Sequence, residues 1–130
     1  KTIFDKYTLP KNILIHGDLG FPNLLADDNN HLCAVLDLDT VAITNNPLYE
    51  LTAFRWMKLS DLFTLINLIN EAYKKYNVNV QIDKIDALYA IKNFCYMEVV
   101  HYTEMGKLNI VNDFLQCLNK IDTFLKAHAT

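Results

Sequence analysis

The sequence predicts an α+β fold that is mostly helical. Three observations carry that reading. Residues 12 to about 43 alternate short apolar runs with turn residues. Within that region "DDNN", Asp27 to Asn30, separates two runs that can pair as a hairpin. After Pro47 the apolar residues step by three and four, the period of a helix with one buried face. At 130 residues and 52% hydrophobic, the chain is one domain's worth with material for a real core. The expected architecture is a small strand pair packed on a bundle of about four helices.

The elements follow in order. Ile13-Leu14-Ile15 reads as a strand that stops at His16-Gly17-Asp18. Asn23 to Ala26 is a second extended segment, and His31 to Asp39 a third. Asn23 to Asp39 is thus a hairpin that returns Asp37 and Asp39 towards Asn23 and Asp18. Asn46-Pro47 opens the first helix with a capping side chain and a first-turn proline. Glu50 falls in that first turn, where the helix dipole favours a carboxylate. Ser60 is expected to cap the next helix, with the stripe Leu62, Leu65, Ile69, Ala72, Tyr76. Lys74-Lys75 reads as its ordinary charged end. Residues 77–81 break the pattern. A helix from about Asp83 carries Leu88, Ile91, Cys95, Val99 and Tyr102, and Gly106 ends it. The last helix carries Val111, Phe114, Leu118, Ile121 and Leu125.

Charge and composition exclude several classes. A net charge of −3 argues against a general nucleic-acid binder, which needs a basic surface. No run of 18 apolar residues is present, so no transmembrane helix and no membrane partner are expected. The N-terminus has no signal-peptide pattern. Cys33, Cys95 and Cys117 lack metal-ligand spacing and sit in apolar contexts. They read as reduced, buried thiols, which places the protein in the cytoplasm.

Asp18, Asn23 and Asp37 are two carboxylates and an amide from neighbouring loop ends. Oxygen ligands of this kind suit a hard cation such as Mg²⁺, which keeps few protein ligands and takes phosphate oxygens as well. A further aspartate within hydrogen-bond reach of a hydroxyl can orient it or take its proton. Gly17 and Gly20 make a loop whose backbone allows close approach. Other residues carry blander readings. His31 faces solvent beside a turn. Phe54 and Trp56 belong to the core. Glu98, His101 and Glu104 form a solvated helix face, with the lining of a substrate pocket as the second reading.

"HGDLGFPN" followed by "AVLDLDTVAITNNPLYELTAF" resembles the catalytic segment of the aminoglycoside phosphotransferase and choline kinase-like superfamily. The resemblance is tight over roughly residues 12 to 54. It implies a protein-kinase-like C-terminal lobe whose small β-hairpin carries the catalytic and metal residues. It implies ATP as phosphate donor, with Mg²⁺. Asp18 then orients or deprotonates the acceptor hydroxyl, His16 braces the loop without reacting, and Asn23 and Asp37 hold Mg²⁺ and through it the nucleotide. Asp39 matches a position often acidic in relatives, an outer carboxylate around the metal. Where relatives carry Asp in the turn before proline and in the following helix, this chain has Asn46 and Glu50.

Such kinases grip ATP between two lobes, with a strand lysine in the N-terminal one. Residues 1–11 hold no such segment, so the chain, 1–130, reads as the C-terminal lobe of a longer kinase. Its partners are then the missing N-terminal lobe in cis and a small-molecule alcohol. Taken alone, the chain is expected to be inactive. The family members and the carboxylates Asp18, Asp39, Glu98 and Glu104 point to a cationic acceptor over an anionic one. Two other readings stay open. One is a binding or regulatory module of the same fold without catalysis. The other is a metal-dependent hydrolase using Asp18, Asp37 and Asp39 around a cation.

Overall fold

The computed structural model describes residues 3–9 and 12–128. They fall into two compact units, residues 1–54 and 55–130. The first holds a short helix, four short strands and a one-turn helix. The second holds three long helices.

In the first unit α1 spans Ile3–Lys6 and β1 spans Ile13–Ile15. The hairpin forms as expected from β2, Leu24–Ala26, and β3, Leu32–Val35, which pair antiparallel with a register shift at Leu25/Ala26. Its turn uses Asn30 at φ 62, the left-handed conformation that asparagine tolerates. A second strand pair was not expected. β4, Ala42–Thr44, lies antiparallel to β1, with Leu14 opposite Ile43. Residues 42–44 are too few to show an alternating pattern, so only the pairing defines them as a strand. The one-turn helix α2 is Leu48–Leu51, continued by a 3₁₀ turn to Phe54. Asn46 caps it as read: its Oδ1 accepts the Leu48 N–H at 2.9 Å. Cys33 is exposed, against the expectation of three buried thiols. It sits on a two-stranded sheet in which Leu32 and Val35 are exposed too.

In the second unit α3 is Leu59–Lys75, α4 Lys84–Glu104 and α5 Leu108–Ala127. Ser60 does not cap α3. The helix starts one residue earlier, and the Ser60 hydroxyl donates to Asp61 Oδ1 from within the first turn. Only Leu62 of the expected α3 stripe is buried; Leu65 and Ile69 are half-buried, Ala72 and Tyr76 exposed, and the second buried residue of the helix is Ile66, which the stripe did not include. Trp56 is 50% exposed and not core; it covers Phe114 from outside, with ring centroids 5.1 Å apart. Asp83 caps α4 by accepting from the N–H groups of Ile85 and Asp86. Gly106, at φ +69, ends it, as the turn chemistry requires. α4 and α5 bury Leu88, Ile91, Cys95, Val111, Phe114, Leu118 and Ile121 of the stripes read from the sequence, while Val99, Tyr102 and Leu125 are half-buried. Among the described residues no helix is long and apolar enough to cross a membrane.

The break after α3 has a specific fastening. Asn77 turns the chain at φ 56, and the Asn70 amide then clamps the backbone of buried Ile82. Asn70 Nδ2 donates to the Ile82 carbonyl at 2.9 Å and Oδ1 accepts its N–H at 2.7 Å. Asn70→Ala leaves both backbone groups without these partners and is expected to lower stability by about 2 kcal/mol. Urea unfolding checks this: an unchanged midpoint would remove the clamp from the account.

Candidate active site

The loop after β1 is built around His16, which is buried at 9% exposure. Its Nε2 meets the Leu36 carbonyl at 2.8 Å, and its Nδ1 meets the Asp18 N–H at 3.3 Å. A carbonyl only accepts and an amide N–H only donates, so the hydrogen sits on Nε2 and the lone pair on Nδ1. The ring therefore ties the residue before Asp37 to Asp18 itself. The rest of the His16 backbone is held as firmly. Its N–H donates to Glu50 Oε2 at 2.6 Å, and its carbonyl accepts from the Thr40 hydroxyl at 2.8 Å.

Gly17 is required by this packing. It lies at φ +84, and a Cβ there would stand 2.6 Å from the Thr40 carbonyl oxygen. Gly20 carries no such demand. Its φ is −96, open to any residue, so only one of the two glycines read as loop formers is conformationally essential. From Asp18 the chain folds over itself. The Asp18 carbonyl accepts from Gly20 N–H at 2.8 Å and from Asn23 Nδ2 at 2.9 Å. The second bond fixes the Asn23 amide and leaves Oδ1 as its acceptor end. Asn23 closes the 3₁₀ turn Phe21–Asn23 just before β2, where its carbonyl accepts the Leu36 N–H at 2.8 Å. Asp37 is the next residue along, so the hairpin brings Asn23 and Asp37 to one end.

Asp37 adopts φ 56, ψ 72, a left-handed conformation rare outside glycine, asparagine and aspartate. It is exposed, and its carboxylate makes no hydrogen bond or ion pair among the described residues. Asp39 lies in the following 3₁₀ turn, Leu38–Thr40, also exposed. A carboxylate without partners and an amide oxygen left over from a fixed amide are hard donors, the set a Mg²⁺ ion takes from a protein. Among the described residues no group of three or more His, Cys, Asp or Glu is gathered for a metal. Asp18, Asp37 and Asp39 thus do not form the three-carboxylate centre of the hydrolase reading. Glu98 and Glu104 belong to α4, in the second unit; Glu98 is half-buried and Glu104 exposed. His31 faces solvent, as read, and its Nδ1 also lies 3.2 Å from Asp27 Oδ2.

A family model, that of the phosphotransferase enzyme family, matches residues 3–68. The chain belongs to the phosphotransferase enzyme family. The match spans the whole of the loop and hairpin just described. Comparison with curated proteins and with solved structures gave no match. Membership supports a phosphotransferase-type function in general.

Glu50 is the member of this phosphotransferase loop whose contact the sequence reading missed. It lies in the first turn of α2, as the helix dipole favours, and its carboxylate also accepts from the His16 N–H. Its second oxygen, Oε1, is buried with no hydrogen-bond partner among the described residues. The signal was there in the departure from the family pattern, since a position where relatives keep Asp and this chain keeps Glu asks for an acceptor. Gly17→Ala adds both a left-handed Cβ and a clash with the Thr40 backbone. It is expected to destabilise the first unit by about 1–3 kcal/mol, while Gly20→Ala is expected to be near neutral. Denaturation of the two variants side by side checks this; equal midpoints would contradict the loop geometry.

Proposed function

We propose that this chain is the catalytic lobe of an ATP-dependent kinase that phosphorylates a hydroxyl of a small molecule. The observation that carries the reading is the His16 ring bridging Asp18 and the residue before Asp37, inside a stretch the family model covers. In this reading Asp18 is the catalytic carboxylate. The acceptor oxygen forms a bond to the γ-phosphorus, the bond from that phosphorus to the bridging oxygen breaks, and ADP leaves. The hydroxyl proton passes to the Asp18 carboxylate. Asn23 Oδ1 and the Asp37 carboxylate would hold Mg²⁺, which when bound supplies positive charge against the phosphate oxygens. His16 positions and does not react: both of its ring nitrogens are committed to backbone groups.

The lobe that grips the nucleotide phosphates in such kinases is proposed to act in cis with this one, and the isolated chain to turn over little. The acceptor is proposed to be a small alcohol carrying positive charge, since Asp18 and exposed Asp39 give the loop end a negative field. A cytoplasmic setting is part of the same proposal, as the place where ATP is supplied.

The test uses the chain joined to its nucleotide-gripping lobe. ADP release is measured against aminoglycosides, choline, ethanolamine, homoserine and simple sugars. Asp18→Asn is expected to lower turnover by about 10²–10⁴-fold with folding retained, the size of a lost general base. Asp37→Ala and Asn23→Ala are expected to raise the Mg²⁺ requirement and lower turnover together. Wild-type rates in Asp18→Asn would end the assignment, and activity confined to an anionic acceptor would overturn the charge argument.

A further inference from the structure

Cys95 and Cys117 face each other in the core of the second unit, on α4 and α5, with their sulfurs 3.7 Å apart. Both are free thiols. The catalytic reading uses neither. They are not equivalent. Cys95 is fully buried, at 0% exposure, whereas Cys117 is 5% exposed and borders a cleft of about 150 Å³ lined also by Arg55, Trp56, Asp113, Gln116 and Lys120. The hydrogen bonds run in one direction. Cys95 donates to Cys117 Sγ, and Cys117 donates to the Arg55 carbonyl at 3.1 Å.

We propose that Cys95 and Cys117 are a reversible oxidation site, in which a two-electron oxidant of the hydroperoxide class converts them to a disulfide linking α4 to α5. Cys117 is attacked first, because it alone of the two borders a cleft. Its thiolate sulfur bonds to one peroxide oxygen, the O–O bond breaks, and the departing hydroxide leaves as water after taking a proton. Cys117 is then a sulfenic acid. The Cys95 sulfur attacks it, the S–S bond forms, the S–O bond breaks, and the second water carries off the hydroxyl with the Cys95 proton. Two thiols and one hydrogen peroxide thus give one disulfide and two waters.

Electrostatics favour this order. The donation from Cys95 holds the Cys117 thiol below its ordinary range, helped by the charges of Lys120 and Arg55 and opposed by burial. Cys95 is pushed up by making that same donation and by burial. Thiolate character, which decides reactivity, therefore gathers on the sulfur beside the cleft. The sulfurs need close only from 3.7 Å to about 2.05 Å to bond. Exposed Cys33, on β3, lies in the other unit and is replaced in the test so that it contributes no adduct or disulfide of its own.

The experiment treats the full chain carrying Cys33→Ser with hydrogen peroxide, quenches with acid and digests without reductant. Mass spectrometry is expected to find the peptides of Cys95 and Cys117 joined, two hydrogens lighter, and separated again by dithiothreitol. With Cys95→Ser, and with Cys95→Ala to avoid a hydroxyl in the core, oxidation is expected to stop at Cys117 sulfenic acid, trapped as its dimedone adduct. With Cys117→Ser, Cys95 is expected to give no adduct over the same time. Circular dichroism checks that each variant keeps its helices. Thiols that remain fully alkylatable after oxidation of the folded chain would overturn the proposal. So would an adduct on Cys95 with none on Cys117.

Discussion

The first unit depends on one imidazole ring. His16 accepts from the Asp18 N–H on one side and donates to the Leu36 carbonyl on the other. Those two groups belong to segments about twenty residues apart in the chain, the loop after β1 and the end of the hairpin. A buried ring with both nitrogens satisfied is costly to disturb, because each lost bond strands a polar group away from water. The ring therefore sets the distance between the Asp18 loop and the strand end that carries Asp37. Its backbone adds two further ties, to Glu50 at the start of α2 and to Thr40 after β3. Four segments thus converge on one residue.

That convergence explains the two left-handed positions beside it. Gly17 turns the chain away from Thr40 at a place where a Cβ would meet the Thr40 carbonyl oxygen. Asp37 turns it again just after the carbonyl that His16 holds. A non-glycine residue in that conformation stores strain of about 1 kcal/mol or more, and it persists only where neighbours over-determine it. Here the neighbours are the Leu36 carbonyl bond to His16 and the Leu36 N–H bond to Asn23. The outcome is a carboxylate turned out from a fixed backbone.

Much of this was legible in the sequence, and the rest was not for physical reasons. The hairpin around Asp27 to Asn30 was, because "DDNN" is turn chemistry and the flanking runs are apolar, but its second strand ends at Val35, short of the expected Asp39. The long helices were, because their stripes repeat at 3.6 residues and their ends carry Asp83 and Gly106. The bracing role of His16 came only from resemblance; the ring's two partners needed coordinates, since neither Leu36 nor the Asp18 backbone is marked by its side chain. β4 was invisible because Ala42-Ile43-Thr44 is too short to show a period and is not an apolar run of the kind that marks Ile13 to Ile15. Glu50 does fall in the first turn of α2, but its bond to the His16 N–H was not legible, because a first-turn acid has a sufficient local explanation. Ser60 failed as a cap because its helix begins one residue earlier. The pairing of Cys95 with Cys117 depends on how α4 and α5 are registered, which neither stripe alone specifies.

The claim that His16 fastens the loop to the strand is tested most directly by its ring tautomer. Long-range ¹H–¹⁵N correlation on the histidine side chains, of which the chain has four, reads it without any activity assay. At pH 8 the account predicts that His16 carries its hydrogen on Nε2, shielded from exchange by the Leu36 carbonyl. Its Nδ1 should show the shift of an unprotonated nitrogen that accepts a hydrogen bond. A His16 ring with the hydrogen on Nδ1, or one averaging between tautomers as an exposed imidazole does, would contradict the account.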